Sequence, residues 1–132
     1  MRLLETIIYT DKLSEVRAFY EKHFVFRADS SVANAYSLMI LPEARLTFVD
    51  AASANVPLSR DMMLRLAVPF AALERSRLLN EGLSNAIGEL VVGDWGYSFG
   101  DAVHFFTLTD PSGTRLQLFQ AQYGEDIALI VK

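Results

Sequence analysis

Asp110-Pro111-Ser112-Gly113-Thr114-Arg115-Leu116-Gln117-Leu118-Phe119-Gln120 is the stretch whose reading decides the fold. Asp-Pro followed by Ser-Gly marks a tight turn, because proline presets one turn dihedral and glycine tolerates the positive φ that closes it. The residues after the turn alternate. Leu116 and Leu118 share one face of a strand, and Arg115, Gln117 and Phe119 share the other. Residues 103–109 form a strand of the same type, so the stretch reads as a hairpin. Gln117 is polar, in mid-strand and opposite the leucines, where a sheet could present a metal-binding or substrate-binding group.

Working outward, residues 3–10 read as a strand, with Thr6 and Ile8 on one face and Glu5, Ile7 and Tyr9 on the other. Ser14 reads as the N-cap of a helix over 15–23, whose Val16, Phe19 and Tyr20 have the spacing of one helical face. Strands are expected at 24–28, 35–41 and 45–49, broken at Asn34 and Pro42-Glu43. Residues 51–60 make a small-residue connection containing Pro57. The pattern then restarts. A strand at 62–68 is followed by a helix at 70–80 with Leu73, Leu78 and Leu79 apolar, ended by Glu81-Gly82. Strands at 87–92, 103–109 and 115–120 complete the second run. An aromatic loop at 94–101 holds Trp95, Tyr97 and Phe99, and 127–131 reads as an extra strand or a tail docked on a partner.

The order βαβββ therefore occurs twice, in modules of about 1–50 and 61–121, with a connection at 51–60 and a tail at 122–132. The turn of the first module, Pro42-Glu43-Ala44-Arg45-Leu46-Thr47-Phe48, parallels Pro111-Ser112-Gly113-Thr114-Arg115-Leu116-Gln117-Leu118 with one residue fewer. The expected fold is α+β: one domain in which two modules form a curved mixed sheet around a cleft, with the helices on the outer face. The 132 residues, 52% of them hydrophobic, suffice for such a core. The absence of cysteine excludes disulfides, thiolate metal sites and cysteine nucleophiles. A net charge of −4 argues against nucleic acid as a partner. No apolar run is long enough to span a bilayer, and no membrane role and a cytoplasmic location are expected.

The doubled βαβββ order, with Ala18-Phe19-Tyr20 in the first helix and Asp110-Pro111-Ser112-Gly113 before the last strand, resembles the vicinal oxygen chelate superfamily. Glyoxalase I, extradiol dioxygenases and the fosfomycin- and bleomycin-resistance proteins belong to it. The resemblance implies four ligand positions on the concave sheet face, usually His, Gln or Glu in the metalloenzymes. Counted from the two motifs, the first and last fall on Glu5 and Gln117, and internal symmetry places the others near Thr47 and Met63. Thr47 is a poor ligand, and the Met63 thioether is too soft for the ions such enzymes use. No metal cofactor is therefore expected, and a divalent ion on Glu5 and Gln117 is the alternative. His23, at the end of the first helix, suits the helix C-terminus. His104 has the parity of Phe106 and Leu108, away from the cleft.

Glu5 reads equally as a general base, whose burial would raise its pKa, or as half of an ion pair with Arg65 or Arg115. Arg65 could clamp a carboxylate or phosphate, or pair with Glu5. Gln117 could bind a ligand or satisfy a neighbour in the sheet. Ile7, Tyr9, Phe105, Thr107 and Phe119 line the cleft by strand parity, and Trp95 with its aromatic neighbours makes a lid or a dimer interface. The preferred function is metal-free binding of a small aromatic or cationic molecule by a homodimer of the bleomycin-resistance type. The alternatives are a metal-dependent glyoxalase-like lyase, isomerase or ring-cleaving dioxygenase using Glu5 and Gln117, or an interaction module whose cleft Met63 and Phe119 fill.

Overall fold

In each half of the chain a strand leads into a helix, and three further strands return to pair with the first. A computed structural model describes residues 1, 3–24, 26–41, 44–94 and 102–121. The first run is β1 (Glu5–Thr10), α1 (Leu13–His23), β2 (Arg27–Val32), β3 (Ala35–Leu41) and β4 (Ala44–Asp50), followed by a short α2 (Ala51–Ala54). The second is β5 (Met63–Ala67), α3 (Ala71–Asn80), β6 (Val91–Asp94), β7 (Ala102–Thr109) and β8 (Arg115–Ala121). The sheets have the same order, β1-β4-β3-β2 and β5-β8-β7-β6. In both, the first strand runs parallel to the last and the other neighbours are antiparallel. This is the α+β arrangement of two βαβββ modules.

The registers coincide as well as the orders. Ile7 lies opposite Thr47 and Arg65 opposite Gln117, while Ser37 and Thr107 face those same two residues from the other side. Alternation then fixes the faces. In the first unit Ile8, Tyr36, Leu38, Leu46 and Phe48 are buried together with Val16, Phe19 and Tyr20 of α1. The rings of Tyr20 and Phe48 stand 5.3 Å apart. In the second unit Phe106, Leu108, Leu116 and Leu118 are buried, as are Ala71 and Leu78 of α3. Each such side chain contributes about 1.5–3 kcal/mol when fully buried, so the helix-side faces carry most of the stability.

The chain divides into two compact units. One comprises Met1–Met62 with Asp110–Gly113, and the other runs from Met63 to Thr109 and resumes at Thr114. The 110–113 turn thus belongs to the first unit. Its Gly113 N–H donates to the Asp110 carbonyl, with Gly113 at φ +86°. An Asp110 carboxylate oxygen accepts from the Ser112 N–H at 2.8 Å. The other receives the buried Tyr20 hydroxyl at 2.6 Å.

Several expected boundaries move. Ser14 lies inside α1, whose N-cap is Lys12 with no side-chain hydrogen bond. The expected strand at 24–28 is displaced to Arg27–Val32, because Phe24 and Phe26 pack as stacked rings beside Tyr20 instead of pairing as a strand. The connection at 51–60 opens with α2, capped by Asp50, whose carboxylate accepts from the Ser53 N–H and hydroxyl. Leu73 is 65% exposed rather than part of the buried face of α3. The strand expected at 87–92 is reduced to a single bridge at Ile87, and the ladder is Val91–Asp94. Trp95, Tyr97, Phe99 and the segment 127–131 lie outside the described residues.

Candidate functional site

The candidate residues occupy the sheet faces opposite the helices, and each unit carries its own set. In the first unit Glu5, Ile7, Ser37 and Thr47 share a face of β1, β4 and β3. Thr47 and Ser37 are buried, whereas Glu5 is exposed and Ile7 is 44% exposed. The Thr47 hydroxyl donates to Glu5 Oε2 at 2.5 Å, and Ser37 Oγ stands 2.8 Å from Thr47 Oγ1. An ionised carboxylate only accepts, so the single Thr47 proton is directed at Glu5 and Ser37 must donate to Thr47. A one-way chain results, running from a buried serine through a buried threonine to an exposed carboxylate. It fixes the carboxylate without neutralising it. The exposure of Glu5 corrects the premise of a buried general base.

In the second unit Met63, Arg65, Phe105, Thr107, Gln117 and Phe119 share the equivalent face. Gln117 is buried at 3% exposure, and its amide oxygen accepts from Arg65 Nε at 2.7 Å. The Arg65 guanidinium stands 5.2 Å from the centroid of the Phe119 ring, within cation–π range. Gln117 thus satisfies a neighbour in the sheet, one of its two expected roles. Arg65 itself is exposed, and Met63 is 45% exposed, so Met63 does not fill the face. Phe105 is buried, while Thr107 and Phe119 are half-buried.

The four positions at which the superfamily places metal ligands do not fit a divalent ion in either unit. In the first, the Thr47 proton points at Glu5. In the second, the Gln117 oxygen already receives a cation, and its companion is the Met63 thioether. A guanidinium on that oxygen would repel a metal ion and blocks a lone pair needed to bind it. Among the described residues no group of three or more His, Cys, Asp or Glu could hold a metal ion. Neither histidine adds a donor to these faces. His23 is buried in the helix-side core with its ring 5.2 Å from that of Phe19, and His104 has the opposite strand parity from Thr107.

Two polar residues were not expected from sequence. Ser37 looks unremarkable in β3, but the β3–β4 register places it directly opposite Thr47. The hairpin break at Pro42-Glu43 contained that register. Gln120, from β8, accepts the Ala71 N–H at 2.7 Å and so caps α3, whose own N-cap residue Phe70 supplies no side-chain hydrogen bond. No local signal marks a cap delivered from a distant strand.

The fold is that of the glyoxalase, bleomycin-resistance and dioxygenase proteins, the architecture of the vicinal oxygen chelate superfamily. Among solved structures, a bleomycin resistance determinant encoded on the transposon Tn5 superposes with a TM-score of 0.68 at 19% identity, over 93% of this chain and all of its own length. A bleomycin-binding protein complexed with bleomycin gives 0.65 at 20% identity, over 91% of this chain and 98% of that one. A lactoylglutathione lyase from Agrobacterium tumefaciens gives 0.67 at 13% identity, over 90% and 92%. No protein-family model matches the sequence, and no curated protein matches it. Among the described residues no helix is long and apolar enough to cross a membrane.

Proposed function

We propose that this protein binds a small aromatic or cationic molecule without a metal, in the manner of the bleomycin-resistance proteins. The observation that carries this reading is the Ser37–Thr47–Glu5 chain, which presents an ionised, oriented carboxylate on an exposed part of the sheet face and leaves no proton of Thr47 to spare. A fixed carboxylate favours an ammonium, guanidinium or amide donor, and the exposed Ile7 beside it favours an apolar body. Bleomycin, which one structural neighbour binds, supplies a probe of this type.

Titration calorimetry of bleomycin and a panel of cationic aromatic amines, with and without a chelator, tests the reading. Binding is expected to be indifferent to the chelator and to weaken about tenfold in Glu5→Gln, roughly the 1.4 kcal/mol of one charge-assisted contact. The amide retains an oxygen for Thr47, so this variant removes the charge and little else. Stoichiometric divalent metal in protein purified without chelator, lost in Glu5→Ala, would replace this reading with the metal-dependent one. A homodimer and a cytoplasmic setting belong to the same proposal. The exposed Val91 and Val92 of edge strand β6 support the dimer, because unpaired apolar edges seek partners, and sedimentation velocity reads it directly.

A further inference from the structure

We infer that the second unit carries a recognition site for a carboxylate attached to an aromatic or apolar body, with Arg65 as the binding group and Gln117 as its positioning residue. The inference deepens the small-molecule reading above by naming a ligand class for a different set of residues. It begins with the register. Arg65 stands directly opposite Gln117 across the parallel β5–β8 pair. A long cation in that position would ordinarily sample many rotamers, but two contacts restrict it. Nε donates to the buried Gln117 amide oxygen at 2.7 Å, and the guanidinium lies over the Phe119 ring at 5.2 Å. The amide oxygen is itself fixed, because Gln117 is 3% exposed in the central strand of its module.

The geometry of guanidinium does the rest. A carboxylate can engage either the edge formed by Nε and one Nη or the edge formed by the two Nη atoms. With Nε committed to Gln117, the Nη–Nη edge is the one that meets a ligand, and its orientation is set before binding. Preorganisation of this kind reduces the rotamer entropy lost on association. Arg65 is exposed, so a solute reaches it. The surroundings specify the remainder of the ligand. Met63, two residues away on the same face, is 45% exposed, and Phe105 lies opposite the half-buried Phe119. An apolar rim around one fixed cation selects a monoanion with a hydrophobic body over a highly charged phosphate ester.

Calorimetry at low ionic strength with benzoate as probe, and the neutral isostere benzamide as control, tests the inference. Benzoate is expected to bind, and benzamide at least tenfold more weakly. Arg65→Gln should lower benzoate affinity at least tenfold. Arg65→Lys should lose about fivefold although it keeps the charge, because an ammonium has no fork. Gln117→Leu should lose threefold or more with Arg65 intact, through loss of orientation. No benzoate binding by the unaltered protein, equal binding of benzamide, or full affinity in Arg65→Gln would overturn the site. Full affinity in Arg65→Lys would overturn the bidentate fork, and full affinity in Gln117→Leu the positioning role. The cationic panel scored on Glu5→Gln fails or succeeds separately, since it involves neither benzoate nor Arg65.

Discussion

Asp110→Ala lowers the folding stability by about 3 kcal/mol in urea titrations at pH 7, the largest effect expected of any single polar substitution in this chain. Asp110 is 4% exposed and its carboxylate accepts from the Tyr20 hydroxyl, the Ser112 N–H and the Ser112 hydroxyl. The Ser112 groups are half-buried and water replaces their partner. The Tyr20 hydroxyl is different, because Tyr20 is 1% exposed and truncation at Asp110 leaves its proton with no acceptor there. Removing the acceptor from a buried donor costs about 1–3 kcal/mol, and bonds to charged groups lie at the upper end. Tyr20→Phe removes the donor as well and should cost less, about 1–2 kcal/mol. The two substitutions together should fall short of their sum, since both delete the same bond.

The same pair sets an alkaline limit. Burial pushes the Tyr20 phenol well above its ordinary value, and the Asp110 charge, its hydrogen bond and Tyr36 push it the same way. The folded chain therefore keeps this proton at a pH where the unfolded chain releases it. Stability from this group is complete below the unfolded value of about 10 and declines as pH rises past it toward the folded value. Urea midpoints measured at pH 8 and near pH 11 should fall more steeply in the parent protein than in Tyr20→Phe. An equal fall in both would show that Tyr20 is not the group responsible.

Asp110 also illustrates what the sequence made legible. The Asp-Pro and Ser-Gly pairs signal a turn through local backbone preferences, and Gly113 does adopt the positive φ that such turns require. Central strands were legible too, because burial on one face imposes alternation, as in Leu116 and Leu118 against the exposed Arg115. The misplaced strands are β2 and β6, and both are outermost in their sheets. An edge strand has one neighbour, so its limits follow from that partner's register more than from its own pattern. The Ser-Ser of β2 gives no alternation, and the apolar Phe24 and Phe26 just before it drew the prediction forward. The site was legible in part for a related reason. Parity put Glu5 with Thr47 and Arg65 with Gln117 on shared faces. It could not show that Thr47 would be donor to Glu5, or that Gln117 would be acceptor to Arg65, because those assignments depend on side-chain reach across paired strands.

Thr47→Val should cost about 2 kcal/mol, whereas the symmetry-related Gln117→Leu should cost well under 1 kcal/mol, and the contrast tests how each unit supports its exposed charge. Both residues occupy the middle of the last strand of their module and both are buried. Their partners differ. Thr47 receives the hydroxyl of Ser37, which is 6% exposed and has little water to turn to when that acceptor becomes a methyl group. The isosteric valine thus creates an unsatisfied donor in the sheet and also frees the Glu5 carboxylate to move. Gln117 receives a guanidinium from Arg65, which is exposed and recovers its hydrogen bond from solvent. Adding Ser37→Ala to Thr47→Val should restore about 1 kcal/mol, because it removes the orphaned hydroxyl, and that recovery in urea titration identifies the mechanism. Failure of the second substitution to rescue the first would mean that Thr47 stabilises the sheet by packing alone. The carboxylate of Glu5 would then be positioned by something other than the buried serine.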